Sequence, residues 1–427
     1  MSYVSHLQGI ASGARYPADA VMNLCPVDGR PVSIVLDLER LLKERGPTGW
    51  YTPARGDLWR FGGLLALDAD DPVDRASIVG LGEGATALLP IDEAFVGVAA
   101  GLRIELKLEG RPAPGYGANP TGSFKDRGMA MVVSMARRLG LERLAVPTQG
   151  NAGDSLACYA LAAGLEAVVV MPRDTPAPIM RRVDSLARHN ETIRYELVDG
   201  TIREAGERVK ARWLDDGYFS VATFQDPGWR IEGKKTLGLE IAEPRTPGGP
   251  WRLPDVIVYP TGGGTGLLGM WKAFDELECL GLIDGRRPRM IAVQSEATPP
   301  LVEAFEQGWD DTRPVAAGRT RAVGLNVPGG VGHFRVLEIL RESGGAAVAV
   351  SEDDIAGAMA WRWPGPITPL SPEGGAALVA VPSLLERELI HPGEHVVVFE
   401  TGCPEKYADP VAVPATPPWE NQGAPGR

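Results

Sequence analysis

Cysteine, lysine and histidine are all scarce in this chain of 427 residues. The four cysteines (Cys25, Cys158, Cys279 and Cys403) are scattered, with no CxxC spacing and no His/Cys cluster. This usage fits a reducing compartment and gives no pattern for a zinc site. Only eight of the 43 basic residues are lysines, and the other 35 are arginines. Chemistry that needs a primary amine therefore has few candidate residues.

Long apolar runs and basic clusters are also missing. No apolar stretch approaches the ~20 residues that span a bilayer, and the amino terminus lacks the basic-then-apolar order of a secretory signal. The net charge is −12, which disfavours nucleic acid and anionic membranes as partners. An apolar fraction of 44% with 23% charged residues is typical of soluble globular proteins. We therefore expect a cytoplasmic enzyme of two or three domains that acts on a small molecule.

Strand-like and helix-like segments alternate from about residue 100 onward, which predicts an α/β fold with parallel sheets and flanking helices. Strands are predicted at 103–110, 143–148, 167–172, 218–224, 255–260, 289–296 and 393–402. Helices are predicted at 127–140, 154–164, 175–189, 201–215, 234–244 and 266–281. Residues 1–80 are rich in turn formers, and CPVDG (25–29) supplies only half of a metal knuckle. The Pro-rich residues 411–427 predict a loosely packed, flexible tail.

The first segment that could carry chemistry is NPTGSFKDRGMAM (119–131). Lys125 lies between a turn and an apolar helix, where loss of solvent lowers the pKa of an amine and makes it a Schiff-base nucleophile. An ordinary surface lysine before a helix would give the same local pattern.

A second segment, PTQGNAGDSLACYA (147–160), predicts a strand, a glycine turn and a helix of small residues. Backbone N–H groups at such a helix start suit a substrate carboxylate, and Asn151 could add a side-chain hydrogen bond. An unremarkable strand–turn–helix connection capped by Asn is the alternative.

The third segment, DVIVYPTGGGTGLLGMW (255–271), runs from a buried strand through a glycine loop into a helix, a pattern that can wrap a phosphate. A Walker loop is excluded because no GK[ST] follows. GTGLLG (264–269) formally matches the dinucleotide motif GxGxxG, but the nearest suitable acid, Glu296, lies 27 residues past Gly269. A phosphate cradle for a smaller cofactor fits this spacing better.

Taken together, a Schiff-base lysine, a phosphate cradle and a carboxylate loop are the requirements of pyridoxal 5′-phosphate (PLP). SFKDRG, QGNAGDS and GGGTG follow one another as in PLP enzymes of the tryptophan-synthase-β-like fold, and the branch they resemble is the threonine synthase family. Five further segments resemble that branch: CPVDGRPVSIVLDLERL (25–41), GLGEGATALL (80–89), RIEGKKT (230–236), SPEGGAA (371–377) and FETGCPEKY (399–407). The resemblance covers about residues 25–407.

The resemblance implies a role for each motif residue. Lys125 would hold PLP covalently and act as the catalytic base, and Asn151 would bind the oxygen at the 3′ position of the ring. Thr401 would meet the pyridine nitrogen. Thr148 and Gln149 would bind the substrate, and Arg230 would bind its phosphate, with Lys234 and Lys235 near enough to converge on the same anion. The cofactor phosphate would be held by Gly262, Gly263, Gly264, Thr265 and Gly266.

Three residues depart from the family pattern. Gln149 stands where the family usually has Ser or Thr, Asp226 where we expect Asn, and Asp154 adds a carboxylate beside the predicted carboxylate loop. Two of the three place negative charge near a doubly anionic substrate. Each acid also has a structural interpretation, since Asp is favourable in a first helical turn and common before proline.

The resemblance therefore implies a homodimeric lyase that converts O-phosphohomoserine and water to threonine and phosphate. One alternative is a PLP-dependent β-elimination or β-replacement enzyme, such as a serine/threonine deaminase or a specialised amino-acid synthase. Another is a PLP-binding regulator that has lost catalysis. We expect a large PLP-binding domain at 96–145 and 228–410, a small domain at 146–227, and a cap or dimer arm at 1–95. No metal is expected.

Overall fold

The computed structural model describes residues 3–361 and 369–407, which form alternating strands and helices. The strands are β1 (Val4–Gly9), β2 (Arg15–Tyr16), β3 (Val32–Leu36), β4 (Leu88–Ile91), β5 (Arg103–Leu108), β6 (Arg143–Pro147), β7 (Glu166–Pro172), β8 (Ile193–Val198), β9 (Phe219–Ser220), β10 (Val256–Pro260), β11 (Arg289–Ser295), β12 (Ala346–Val350) and β13 (His395–Glu400). The helices are α1 (Leu38–Arg45), α2 (Pro72–Ser77), α3 (Lys125–Arg138), α4 (Asn151–Ala163), α5 (Ala177–His189), α6 (Ile202–Arg208), α7 (Trp229–Ala242), α8 (Thr265–Cys279), α9 (Pro300–Glu306), α10 (His333–Glu342), α11 (Glu352–Ala360) and α12 (Pro372–Glu386).

The first compact unit comprises residues 3–85, 119–240 and 268–284. Its parallel sheet has the strand order β8-β7-β6-β9, and the central strand β7 is buried over almost its whole length because helices cover both of its faces. A smaller antiparallel sheet, β2-β1-β3, is built from the amino-terminal residues. There the side chain of Asp37 caps α1 by accepting a hydrogen bond from the Arg40 amide at 2.9 Å.

The second compact unit comprises residues 86–118, 241–267 and the described residues from 285 onward. Its sheet has the order β12-β11-β10-β13-β5-β4, parallel except for the antiparallel edge strand β4. All five residues of β10 are buried, as the apolar run VIVYP predicts for a central parallel strand. The α/β fold class with parallel sheets and flanking helices is thus confirmed.

Most of the predicted elements from residue 100 onward are present at nearly the predicted positions. Three differ. β9 covers only Phe219–Ser220 of the predicted 218–224, and α7 begins at Trp229 rather than at residue 234. The helix predicted at 201–215 is α-helical only over Ile202–Arg208 and continues as a π-helical turn at Val209–Trp213. The predicted domain boundaries stay a prediction, and the predicted tail at 411–427 lies outside the described residues. Within the described part of the chain, no helix combines the length and the apolar composition required to cross a membrane.

Candidate active site

Lys125 is the first residue of α3, and the turn before it is fixed by Asp126. The Asp126 carboxylate accepts hydrogen bonds from the backbone N–H of Thr121 at 2.7 Å and from its hydroxyl at 2.5 Å. Asp126 is fully buried, whereas Lys125 is half-buried, and Lys125 Nζ lies 4.4 Å from the centroid of the Phe124 ring. The predicted Schiff-base lysine therefore sits at a helix start whose backbone is held by a buried carboxylate.

The segment 147–151 turns from β6 into α4 and places Asn151 as the first residue of that helix. The Thr148 hydroxyl accepts a 3.0 Å hydrogen bond from the backbone N–H of Gly150 and is therefore committed to the turn. Gln149 and Asn151 are half-buried. A Cβ on Gly153 would lie 2.5 Å from Thr148, so glycine is needed for the helix to approach the turn. The arrangement gives the helix N-terminus that favours an anion.

Asp154 follows in the same first turn but does not add a lone charge there. Its carboxylate is fully buried and accepts a 3.0 Å hydrogen bond from Arg182 Nε on α5. The structure thus supports the structural interpretation of this departure from the family pattern.

Arg230 lies in the first turn of α7, not before the helix as the sequence suggested. Its backbone N–H donates to Asp226 Oδ1 at 3.0 Å, and Nη1 donates to the Val221 carbonyl oxygen at 2.9 Å. Both charged residues are buried, and burial raises the pKa of Asp226 and lowers the pKa of Arg230. Among the described residues, Arg230 Nε and Asp226 Oδ2 are buried atoms with no hydrogen-bond partner. These are the atoms through which a polar ligand could be bound.

Lys234 lies one helical turn after Arg230 and is 1% exposed. Its Nζ is 4.9 Å from the centroid of the same Phe124 ring that Lys125 approaches. Burial, together with the positive charges of Lys125 and Arg230, holds the pKa of Lys234 well below its usual range. Lys234 is thus a second amine in the neighbourhood of Lys125.

Lys235 does not join this group. Its Nζ is fully buried and pairs with Glu232 at 2.9 Å and with Glu276 at 2.8 Å. Lys272 also pairs with Glu232, which completes a buried network between α7 and α8. The expectation that Lys235 converges with Arg230 on one anion is therefore wrong, because its charge is already neutralised by two carboxylates.

The glycine loop of the second unit joins β10 to α8, as predicted. Gly264 has φ of +88°, and a Cβ there would overlap the Val336 side chain. A Cβ on Gly262 would overlap the Gly324 carbonyl oxygen. Gly263 continues the loop, Thr265 begins α8, and Gly266 lies in its first turn, so the backbone N–H groups of a helix start follow the loop directly. This is the geometry of a phosphate cradle.

Thr401 follows β13, the strand that pairs in parallel with β10. Since both segments leave the carboxyl ends of neighbouring strands, Thr401 and the glycine loop lie at the same edge of one sheet. Thr401 is 5% exposed. The preceding residue, Glu400, is anchored by the Ser371 N–H at 2.8 Å, and burial raises its pKa well above the ordinary value.

Each unit by itself offers a feature that PLP requires. The first has a half-buried lysine at a helix start. The second has a glycine loop in which Gly262 and Gly264 leave no room for a Cβ, followed by a helix N-terminus. Across residues 3–361 and 369–407, no three His, Cys, Asp or Glu side chains gather into a metal site. Sequence reasoning missed Asp126 and also missed His333, whose ring bonds the glycine loop; the glycine-flanked GGVGH sequence (329–333) was the available signal.

Comparison with known proteins gives the family context. A family model described as pyridoxal-phosphate dependent enzyme matches residues 79–402. The chain is 28% identical over 393 residues to threonine synthase of Methanocaldococcus jannaschii, covering 92% of this chain and 91% of that protein. It is 30% identical over 273 residues to threonine synthase of Mycobacterium tuberculosis strain H37Rv, covering 64% and 68%. The structure of processed threonine deaminase isoform 2 from Solanum lycopersicum shares the fold, with a TM-score of 0.59, 21% identity, and coverage of 78% and 86%.

Proposed function

The chain belongs to the pyridoxal-phosphate-dependent enzymes and, among them, to the threonine synthase family, and on that premise we propose that it converts O-phosphohomoserine and water to threonine and phosphate. Its cofactor is PLP and its fold is that of the tryptophan synthase β type. The observation that carries the proposal is the similarity to threonine synthases over 92% of the chain, together with Lys125 at the start of α3.

We assign the cofactor contacts to residues of this chain as follows. Lys125 would hold the cofactor covalently through Nζ, Asn151 would bind the ring oxygen at the 3′ position, and Thr401 would meet the pyridine nitrogen. Gly262, Gly263, Gly264, Thr265 and Gly266 would hold the cofactor phosphate. The bound cofactor supplies an electron sink that stabilises negative charge at the substrate α-carbon.

Lys125 has a second role, because its amine is the base that acts at the substrate α-carbon. When Nζ is not bound to the cofactor it accepts the α-proton and later returns one. The overall conversion removes a proton from the β-carbon and breaks the bond between the γ-carbon and oxygen, so that phosphate leaves with the electron pair. A proton is then added at the γ-carbon, which becomes the methyl group of threonine. Water then supplies the oxygen that is added at the β-carbon. Asp126 supports these proton transfers indirectly by fixing the turn on which Lys125 lies.

The substrate is assigned to two places in the first unit. Gln149 binds its carboxylate at the start of α4, where backbone N–H groups favour an anion. Thr148, which is also predicted from the sequence to bind the substrate, is engaged in the turn, since its hydroxyl bonds Gly150 and its N–H donates to the Val170 carbonyl oxygen. Arg230 binds its phosphate, for which the planar guanidinium is well suited. The support for Arg230 is its buried Nε, which has no hydrogen-bond partner among the described residues, and its place in the first turn of α7.

The test compares O-phosphohomoserine with serine and threonine on the wild-type holoenzyme and on Arg230→Ala. Charge-assisted hydrogen bonds to phosphate contribute about 1.5–3 kcal/mol each, so the variant should lose on the order of 10²-fold in kcat/KM for O-phosphohomoserine. The variant should retain the cofactor, whose phosphate is assigned to residues 262–266 and not to Arg230. Arg203→Ala, on exposed α6, is the matched control and should behave as wild type.

The alternative is a PLP-dependent β-elimination or β-replacement enzyme, such as a serine/threonine deaminase. One observation favours it: the Asp226 carboxylate lies buried beside Arg230, where it would oppose a doubly charged phosphate. If wild type ignores O-phosphohomoserine and deaminates serine or threonine, with Arg230→Ala equally active, the alternative replaces our proposal.

We also propose that the enzyme is a cytoplasmic homodimer. The scattered cysteines support a reducing compartment, and the family resemblance supports the dimer. Analytical ultracentrifugation of the purified holoenzyme tests the assembly, and a monomer at micromolar concentration would contradict it.

A further inference from the structure

The amino-terminal end of α10 packs directly on the glycine loop of the second unit. His333 Nε2 lies 2.9 Å from the Gly262 carbonyl oxygen, and Val336, one turn later, fills the space that a Cβ on Gly264 would need. The close approach of the imidazole depends on Gly330, because a Cβ there would lie 2.7 Å from the ring. Two residues of one helix therefore contact two glycines of the loop.

The hydrogen bonds of His333 determine which ring nitrogen carries the proton. The Gly330 backbone N–H donates to Nδ1 at 3.2 Å, so Nδ1 is an acceptor. The Thr312 hydroxyl lies 3.0 Å from the same nitrogen and can donate to it as well. A neutral imidazole then has its proton on Nε2, from which it donates to the Gly262 carbonyl oxygen. Of the two neutral tautomers, only the one with its proton on Nε2 can donate a hydrogen bond to the Gly262 carbonyl oxygen.

The surroundings of His333 favour its neutral form. The side chain is fully buried, and it begins a helix, where the dipole opposes a positive charge. Burial lowers its pKa from the ordinary 6.5, against smaller opposing effects of the bond to Gly262 and of the charge of Asp311. The imidazole is therefore neutral at pH 7. A second proton would have to enter at Nδ1, where the Gly330 N–H already points.

We propose that His333 is a positioning residue for the cofactor: its neutral Nε2 tautomer holds the Gly262 carbonyl group and so fixes the glycine loop that binds the cofactor phosphate. The proposal rests on the proposed function in one respect, since it takes residues 262–266 as the phosphate loop. His333 touches neither substrate nor reacting atoms. It acts through the Gly262 carbonyl group, whose orientation determines where the following N–H groups of the loop point.

The test compares the affinity for PLP of wild type and two variants at pH 7.5, using ultrafiltration and the absorbance of the retained cofactor. His333→Gln keeps a donor for the Gly262 carbonyl, so its affinity should stay within about threefold of wild type. His333→Phe removes the donor and should weaken cofactor binding by about tenfold. His189→Gln, on exposed α5, is the matched control and should follow wild type.

A readout on the unmodified enzyme keeps the test decisive if a variant folds poorly. Nitrogen-15 chemical shifts of the wild-type imidazoles at pH 7.5 should show one histidine with its proton on Nε2, and that signal should persist without titrating down to pH 6.5. A proton on Nδ1, or PLP binding by His333→Phe as tight as that of wild type, would overturn the proposal for His333 alone. Failure of wild type to bind PLP at any pH would instead overturn the proposed function.

Discussion

The Ser155 hydroxyl donates a 2.7 Å hydrogen bond to Asp126, the residue next to Lys125. Ser155 lies in the first turns of α4, and Asp126 lies at the start of α3, so one carboxylate links the two helix starts. Asp126 also holds Thr121 through its backbone N–H and its hydroxyl. The relative placement of Lys125 and Asn151 therefore depends on Asp126, a buried acid to which we assign no contact with cofactor or substrate.

Replacing Asp126 by Ala should both destabilise the protein and impair catalysis. Three donors would be left in a buried position without their acceptor, and we expect a loss of about 3 kcal/mol in the free energy of unfolding. Ser155→Ala removes one of the three bonds and should cost about 1 kcal/mol. Urea unfolding and kcat measure the two effects. Asp199→Ala, which removes an acid that is 91% exposed, is the control and should cost less than Ser155→Ala.

Glu83 should make stability depend on pH. It accepts hydrogen bonds from Tyr159 at 2.7 Å and from the Leu81 N–H at 2.8 Å, yet burial raises its pKa to about 7. The folded state thus binds a proton more readily than the unfolded state, whose pKa is near 4.5. The free energy of unfolding contributed by this group is greatest below pH 4.5 and falls by about 3 kcal/mol as pH rises to 7.

Glu83→Gln isolates this contribution, because glutamine does not titrate. Urea unfolding at pH 5, 6, 7 and 8 should show that the decline of wild type toward pH 7 is flatter in the variant. Parallel pH profiles for the two proteins would mean that Glu83 is ionised in the folded state throughout this range.

The sequence allows good prediction where structure depends on neighbours in the chain. The run VIVYP followed by glycines predicts β10, its loop and the start of α8, because burial and backbone freedom are local properties. The link between Asp126 and Ser155 could not be predicted, since an acid and a serine 29 positions apart carry no periodic signal. Lys235 shows the same limit: its neutralisation depends on Glu276, on another helix.

The early start of α7 has a related cause. The sequence predicts this helix only from residue 234, directly after Gly233 in RIEGKKT. In the structure Gly233 is helical, and a Cβ there would overlap the Arg127 carbonyl oxygen on α3. The glycine is present because two helix backbones come close together, which is a property of the packing that a single segment does not reveal.

Gly233→Ala should therefore destabilise the protein although alanine is the better helix former. The overlap is with backbone atoms of α3, so one helix must shift, and we expect a loss of several kcal/mol, on the order of 3. Gly206→Ala is the matched control, since Gly206 lies in α6 with no atom within 4 Å of a new Cβ. It should be neutral or stabilising by up to about 1 kcal/mol. Thermal unfolding measures both, and equal shifts would contradict the close packing.

The neighbouring residues Lys234 and Lys235 should respond in opposite ways to replacement by methionine. Lys235 is paired with Glu232 and Glu276, so Lys235→Met leaves two buried carboxylates with Lys272 as their one remaining lysine partner and should cost about 3 kcal/mol. Lys234 faces the positive charges of Lys125 and Arg230, and its lowered pKa means that the unfolded chain binds the proton more readily. Its contribution to the free energy of unfolding therefore rises with pH from the lowered pKa up to about 10.5 and opposes folding at pH 7.

Lys234→Met removes this unfavourable contribution, so the variant should be at least as stable as wild type at pH 7. Its free energy of unfolding should also change less with pH between pH 7 and 10. Urea unfolding of both variants over this range tests the contrast. A Lys234→Met protein as unstable as Lys235→Met would mean that Lys234 is charged and held by an anion in the folded state.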